Sequence, residues 1–268
     1  MIQGVSEWLP ISSKTQVIIA STYIFNLTFQ QGYDLGLFLE VGTFFAATIY
    51  FRRQVYGVLK TLVGRGDQEG RMLLKFLVIA TAITAVLGVV IYKVVSESVT
   101  GPALGIPMII LGCVLIGDGI LITLARGKRT PTKSLADLKN RDIVIIGLAQ
   151  GIAAFPGVSR SGATVSTMLL MGVKPEDSFK LSFLALIPAS IGATGVTVLL
   201  SKSNIGSVIG TLTLPVILIS LLVTVAVGLI SIRTLLRFAG SRRIALLTFV
   251  LGALAIFGGI TSIYFGAG

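Results

Sequence analysis

The chain has 268 residues, of which 54% are hydrophobic and 12% charged, and its mean hydropathy is +0.94. A soluble globular domain carries about 25% charged residues, so this composition excludes that class and indicates a membrane protein. The absence of histidine excludes imidazole chemistry, and the single cysteine, Cys113, excludes a disulfide or metal-thiolate framework. The net charge of +11 could indicate a nucleic-acid partner, which the distribution of the basic residues argues against.

Six apolar segments are long enough to cross a hydrocarbon core of about 30 Å as helices. With the loops assigned alternately to two sides, most of the 22 Lys and Arg fall on one side, which the positive-inside rule places in the cytoplasm. We therefore expect an all-α polytopic protein of the cell (plasma) membrane, with cytoplasmic basic loops and no nucleic-acid partner. In chain order the six predicted transmembrane helices are residues 35–51, 72–95, 105–125, 179–200, 213–232 and 244–265.

Two polar stretches interrupt this pattern and resemble each other: MIQGVSEWLPISSKT and LAQGIAAFPGVSRSGAT. Gln3 and Gly4 correspond to Gln150 and Gly151, and in both stretches an aromatic residue, a proline and several hydroxyl-bearing residues follow. The segments that follow, LGLFLEVGTFFAA and LSFLALIPASIGA, are also similar. These matches predict a single membrane domain, 1–268, made of two repeats at approximately 1–125 and 142–268 that are joined by the basic loop 126–141.

Segments 1–30 and 142–172 are each broken midway by Pro and by Gly or Ser, which predicts two re-entrant helical hairpins. Irregular backbone is tolerated at membrane depth where it lines a cavity enclosed by protein. Three predicted crossings separate the hairpins, so the halves are expected to have inverted topology, with a site at their interface. The second hairpin has an entering arm, whereas the first starts almost at Gln3, so we expect that its first arm is missing from this sequence.

In each break a polar loop leads into a helix, with TQVIIASTYIF after Ser12 and Ser13 and ATVSTMLLMG after Ser161 and Gly162. Helix N-termini present N–H groups and a positive dipole end, which favour phosphate or another anion. Arg160 lies in the middle of the second break, and its planar guanidinium can bind phosphate through two bonds. The alternative is that Arg160 extends to the membrane interface.

Glu7 follows Gln3 by one helical turn, so the two side chains share a helix face. Their oxygens could hold Mg²⁺ or Ca²⁺ together with a phosphate, or Glu7 could act as a general base. The alternative is a protonated or interfacial glutamate. Ser12 and Ser13 are candidate nucleophiles, although serines at helix starts also serve as caps. Glu40, in the segment after the first hairpin, is expected to face the same cavity.

The two motifs QGVSEWLPISS and PGVSRSGAT resemble the paired signatures of the undecaprenyl-diphosphatase family, the bacitracin-resistance type of integral membrane phosphatase. LFLEVGTFFAATIYFRR and LSFLALIPASIGA extend the resemblance over nearly the whole chain. The resemblance implies hydrolysis of a long isoprenyl diphosphate to its monophosphate, which recycles the lipid carrier of cell-envelope polysaccharides. It also implies an isoprenoid diphosphate lipid and the bilayer as partners, a divalent cation (Mg²⁺ or Ca²⁺) as cofactor, and allows a homodimer.

Carried over by motif, the resemblance places metal binding or acid–base work on Gln3 and Glu7 and the catalytic serine on Ser13, with Ser12 adjacent. The phosphate-binding motif that the resemblance implies falls on Pro156, Gly157, Ser159, Arg160, Ser161 and Thr164, and we add Lys14 and Gly162 as candidate phosphate-binding residues. Many family members have a histidine after the serines, where this chain has Gln16 in SSKTQ. Glu7 is therefore the better candidate base, and Lys14 could compensate for the missing charge.

Two other classes of function remain open from the sequence. Inverted repeats with broken helices are also the architecture of secondary transporters, so a lipid-phosphate or anion transporter would use the same arginine. A purely structural membrane protein is the third reading. Phosphate release that depends on Arg160 and Glu7 would distinguish hydrolysis from both.

Overall fold

The structure is a computed structural model, and its described part is helical except for an isolated bridge between Lys133 and Val173. The prediction of an all-α fold is confirmed for this part of the chain. The described residues are 1–98, 109, 110, 112–114, 116, 117, 119, 120, 123, 124, 132–155, 158–200, 213–238 and 243–265. Their helices are α1 (Ile2–Ser6), α2 (Ser13–Phe25), α3 (Phe29–Tyr50), α4 (Arg52–Leu62), α5 (Gln68–Ser98), a 3₁₀ turn (Leu135–Asp137), α6 (Asn140–Ile152), α7 (Arg160–Leu170), α8 (Pro175–Leu200), α9 (Leu214–Phe238) and α10 (Arg243–Phe265).

Five of the six predicted spans coincide with α3, α5, α8, α9 and α10. In the described residues, Gln68–Ile91 and Leu214–Arg237 are long and apolar enough to cross a membrane by themselves, and a bent pair formed by α3 and α4 could be a third span. Large apolar side chains point outwards on these helices, including Val86, Leu222 and Ile230, as expected for surfaces in contact with lipid. Nearly half of the remaining predicted span, 105–125, lies outside the described residues. The same is true of 126–131 in the predicted basic loop and of Pro156 and Gly157.

The helix α4 was not predicted from the sequence. The helix α3 begins at a capping box formed by Thr28 and Gln31 and ends at Phe51, where the chain turns by 84° into α4. The apolar residues Tyr56, Leu59 and Leu62 of α4 are exposed, and α4 has no buried residue. The apolar segment 35–51 therefore ends at Arg52 and Arg53, the first two residues of α4, and α4 continues nearly perpendicular to α3.

Both predicted broken segments are two helices separated by an irregular break. The first runs from α1 through Glu7–Ser12 to α2, and the second runs from α6 through a break to α7. The predicted helix starts need correction, because α2 begins at Ser13 rather than Thr15 and α7 begins at Arg160 rather than Ala163. Ser159 Oγ accepts a hydrogen bond from Gly162 N (3.2 Å), and this cap extends α7 back to include the arginine.

An apolar core lies directly beside the two breaks. Trp8 is fully buried and contacts the ring of Phe183 edge to face, with 5.1 Å between the ring centroids. Phe183 also contacts Phe179, one turn earlier on α8. The first break therefore packs against α8 through Trp8. Burial of large aromatic side chains is the main stabilising term for such a core. Glu7 precedes Trp8 in the chain and is therefore anchored beside it.

Candidate active site

The first break brings a carboxylate, an amide and a hydroxyl into contact. Gln3 Nε2 donates to Glu7 Oε2 over 2.6 Å, which is the bond expected for side chains one helical turn apart. The chain then passes Pro10 and returns, and Ser13 at the start of α2 donates its hydroxyl proton to the same Glu7 oxygen. All of these side chains are buried. Glu7 is therefore positioned both to hold Ser13 in one orientation and to accept its proton.

Ser12 precedes this serine in a conformation that is rare for residues with a side chain. Its φ is 50°, in the left-handed region, where the Cβ atom of an L residue is crowded by the backbone. Its Oγ accepts a hydrogen bond from Thr15 Oγ1 over 2.9 Å. Strain of this kind is found mainly at functional sites, where the surrounding structure holds it in place. The turn at Ser12 directs Ser13 towards Glu7.

The second break brings an arginine to the same carboxylate. Arg160, the first residue of α7, donates from Nη2 to Glu7 Oε1, across 153 positions of sequence. Glu7 is 6% exposed and the Arg160 side chain 17% exposed, so the pair is largely shielded from water. Charged side chains are buried in proteins when they are paired and hydrogen-bonded, because burial of an isolated charge has a large free-energy cost. The two ions therefore depend on each other.

The backbone of the first break is also bound by hydroxyls of the second. Ser161 Oγ donates to the carbonyl of Leu9 over 2.8 Å, and Ser159 Oγ makes a longer bond of 3.4 Å to the same oxygen. The Leu9 carbonyl lies in an irregular turn, where helical partners for carbonyl groups are lost. The hydroxyls of the SRS sequence thus join the two breaks to each other.

A cavity of about 160 Å³ opens beside these residues. Glu7, Ser13 and Arg160 form part of its polar wall, and a second ion pair, Lys14 Nζ to Glu40 Oε1 at 3.0 Å, lies on the same wall. The rest of the lining is mainly apolar or small and comes from α3, α5, the second break and α8. These residues are Leu37, Ala85, Gly88, Val89, Ala153, Ala154, Phe155, Val158, Ala189 and Gly192. A charged wall facing an apolar wall suits a molecule with an anionic head and an apolar tail.

Comparison with known proteins identifies the family. The family model for the bacitracin resistance protein BacA matches residues 1–257. The chain belongs to this family. Three similar proteins, each named undecaprenyl-diphosphatase, come from Saccharolobus solfataricus (51% identity; 98% of this chain and 94% of the relative), Sulfurisphaera tokodaii (47%; 96% and 93%) and Pyrobaculum aerophilum (38%; 99% and 96%). The resemblance stated from the two motifs is therefore confirmed.

Within this BacA-family structure, the predicted site residues divide into two groups. The cavity is lined by six of them: Glu7, Ser12, Ser13, Lys14, Ser159 and Arg160. Gln3 lies behind Glu7, which it orients. Ser161 binds the Leu9 carbonyl, and Thr164 bonds to Ser182 Oγ (2.7 Å) and to the Arg160 carbonyl (2.8 Å), so neither hydroxyl lies on the cavity wall. Their predicted phosphate-binding role, and that of Gly162, stays a prediction.

Sequence reasoning did not assign two features of the cavity. One is the pairing of Lys14 with Glu40, which joins α2 to α3 and could not be read from residues so far apart in sequence. The other is Gln150, which is 2% exposed and lines the cavity. The match between Gln3 and Gln150 in the two repeats was the signal that could have identified it.

Proposed function

We propose that this chain is a membrane phosphatase that hydrolyses a long-chain isoprenyl diphosphate, of the undecaprenyl type, to the monophosphate and inorganic phosphate. The reaction would recycle the lipid carrier used in cell-envelope polysaccharide synthesis. One observation carries the proposal: Ser13 donates to Glu7, Glu7 is paired with Arg160, and these side chains line a cavity that also has a large apolar part. The activity in the names of the three relatives supports it.

Substrate binding would rearrange the ion pairs of the cavity. Without substrate, Arg160 is bound to Glu7 and Lys14 to Glu40, so positive and negative charges are matched on the polar wall. A diphosphate offers oxygens that compete with both carboxylates for these cations. Arg160 would turn to the terminal phosphate, where its fork stabilises the charge that develops in phosphoryl transfer. Its departure leaves Glu7 Oε1 open, while Ser13 stays bonded to Oε2.

The chemical step then uses Ser13 as nucleophile and Glu7 as base. Ser13 Oγ forms a bond to the terminal phosphorus as the bond from that phosphorus to the bridging oxygen breaks, and the Ser13 proton passes to Glu7. The lipid monophosphate leaves with the electron pair of the bridging bond. Glu7 would pass that proton to the departing oxygen of the lipid monophosphate and so become a carboxylate again. It would then take a proton from the water that attacks the phosphoserine, the bond from phosphorus to Ser13 Oγ would break, and Ser13 would regain a proton as inorganic phosphate leaves. A water attacking directly with Glu7 as base is the shorter version of this route.

A divalent cation fits the residues that are present. Gln3 Oε1 is a buried oxygen with no hydrogen-bond partner among the described residues, and Glu7 supplies a carboxylate beside it. The described residues contain no cluster of three or more His, Cys, Asp or Glu that could hold an ion. Mg²⁺, which is often held by one or two carboxylates together with substrate phosphates, fits this set better than Ca²⁺. The cation would neutralise charge on the phosphates, held by Gln3 and Glu7.

For the membrane arrangement we propose six transmembrane helices and two re-entrant hairpins in two inverted halves of one domain, with the basic loops in the cytoplasm and the protein in the plasma membrane. Two observations support the repeat. Gly4 packs on α9, where an added Cβ would lie 2.9 Å from the carbonyl of Thr224. Gly151 packs on α5, where an added Cβ would lie 2.7 Å from Leu87 Cβ. The paired glycines thus allow close helix contacts in both halves.

The experiment is phosphate release by the protein reconstituted in vesicles with a long isoprenyl diphosphate and Mg²⁺. Wild-type protein should release phosphate, Ser13→Ala should lose at least about 100-fold in kcat, and Ser12→Ala should lose less. Ser178→Ala removes a buried hydroxyl that bonds to the carbonyl of Lys174, just before α8, and is the control. Vesicle uptake or lipid scrambling without phosphate release would contradict the proposal and favour the transporter reading.

A further inference from the structure

The geometry points to Gln150 as a binding residue for the phosphate that stays on the lipid, an inference that rests on the proposed function. Gln150 is 2% exposed and lines the cavity together with Glu7, Ser13 and Arg160. Both polar atoms of its amide, Oε1 and Nε2, lack a hydrogen-bond partner among the described residues. Buried side-chain amides are nearly always satisfied, because an unmet donor or acceptor loses its water without compensation. An amide left unmet on a cavity wall therefore indicates a ligand.

The two repeats use equivalent glutamines differently. Gln3 donates to Glu7, one turn later on the same helix, over 2.6 Å. One turn after Gln150 stands Ala154, which offers no acceptor. The first amide is thus used to orient the carboxylate, whereas the second remains available to a molecule in the cavity.

Close helix packing fixes where Gln150 points. On either side of it, Gly147 and Gly151 lie against α5, where an added Cβ would come within 3.1 Å of Ala80 Cα and 2.7 Å of Leu87 Cβ. Thr84 Oγ1 on α5 also donates to the Gly147 carbonyl over 3.2 Å. These contacts hold α6 firmly on α5, so the Gln150 side chain is presented to the cavity by a rigid element.

The position of Gln150 on the wall selects which phosphate it binds. Ala153, Ala154 and Phe155, which follow Gln150 closely in the chain, belong to the apolar or small part of the lining, whereas Ser13 and Arg160 belong to its charged part. The terminal phosphate must lie at Ser13, so the phosphate attached to the lipid lies towards the apolar wall. There Gln150 Nε2 would donate to a non-bridging oxygen, and Oε1 would accept from a water on the phosphate. A neutral amide would bind the phosphate without adding a positive charge, which would slow the release of the anionic lipid monophosphate.

The test compares wild type with Gln150→Leu and Gln150→Glu in vesicles, using phosphate release and calorimetric binding of inorganic pyrophosphate. Gln68→Leu, at an exposed glutamine on α5, is the matched control. We expect Gln150→Leu to raise KM and the pyrophosphate Kd by about tenfold to a hundredfold, the size of one hydrogen bond to a charged group, with kcat within about threefold. Gln150→Glu should bind pyrophosphate more weakly still, because it places a second negative charge beside the phosphate.

Thermal unfolding separates binding from a structural role. The amide has no described protein partner to lose, so Gln150→Leu should leave the Tm unchanged or raise it. An unchanged KM and pyrophosphate Kd in Gln150→Leu would overturn the inference, as would a lowered Tm with unchanged KM. If wild type binds pyrophosphate but releases no phosphate, the proposed function fails; weaker pyrophosphate binding by Gln150→Leu would then still support Gln150 as a phosphate ligand.

Discussion

The first and second breaks are similar in sequence but contribute differently to the site. The first break and the start of α2 supply Glu7, Ser13 and Lys14 to the cavity lining, the residues proposed as base, nucleophile and second cation. The second supplies Arg160, while its remaining hydroxyls are engaged in holding the breaks together. The two matching glutamines also differ among the described residues: Gln150 has no partner for either polar atom of its amide, whereas in Gln3 only Oε1 lacks one.

The difference teaches that the two breaks contribute different groups around one carboxylate. Glu7 accepts from its own helix, from its own break and from the opposite break. The two broken segments are similar in sequence, but each contributes side chains that the other does not: Glu7 and Ser13 come from the first and Arg160 from the second. Substitutions in the first break should therefore affect chemistry most, and those in the second should affect binding and assembly.

The largest effect should follow Glu7→Gln. The amide cannot accept the Ser13 proton, and it leaves Arg160 without its partner. We expect kcat to fall by about 1,000-fold or more, within the range for loss of a general base. The control is Glu69→Gln. It removes a largely exposed carboxylate that pairs with Lys180 at 3.5 Å, and it should keep full activity. Phosphate release near the wild-type rate in Glu7→Gln would show that Ser13 has another base.

Arg160→Lys should have the next largest effect. Lysine keeps the charge but not the planar fork that can bind phosphate through two bonds. We expect kcat/KM to fall by about 100-fold, with some activity retained, whereas Arg160→Ala should abolish it. Arg233→Lys, at an exposed arginine of α9, is the control. Equal activity of Arg160→Lys and wild type would show that only a point charge is needed there.

A smaller effect is expected for Lys14→Met. Loss of this cation removes one phosphate contact and leaves Glu40 unpaired in the cavity, where its charge repels the substrate. We expect KM to rise by about tenfold with little change in kcat. The double variant Lys14→Met with Glu40→Gln should recover part of the loss, whereas Lys60→Met, on α4, should have no effect. A double variant worse than Lys14→Met alone would mean that the pair serves only to join α2 to α3.

The smallest effect should come from Ser161→Ala. It removes the 2.8 Å bond to the Leu9 carbonyl that joins the two breaks, which contributes about 1 kcal/mol. The Tm should fall by roughly 2–4 °C, and kcat should fall only a few-fold. Ser178→Ala loses a local bond, to the carbonyl of Lys174 four residues earlier, and serves as the comparison. A loss of activity as large as that of Arg160→Lys, at unchanged Tm, would instead place Ser161 on the substrate.

Sequence alone determined the class of the molecule, five described helices that coincide with predicted spans, the two broken segments and the family. These properties are local, because apolar runs, prolines and glycines act over one or two helical turns. The same reasoning placed the start of α7 too late, because the cap at Ser159 was not recognised, and it missed α4, whose basic start was assigned to a loop.

Only the tertiary structure decided which side chains meet. The packing of the helices decides that Glu7 pairs with Arg160, Lys14 with Glu40 and Ser161 with the Leu9 carbonyl, and no local pattern encodes these contacts. The same packing leaves both polar atoms of the Gln150 amide without a hydrogen-bond partner among the described residues, whereas Nε2 of the matching Gln3 donates to Glu7. Hydrogen bonds reach only about 3 Å, so partners far apart in the chain are fixed by the fold.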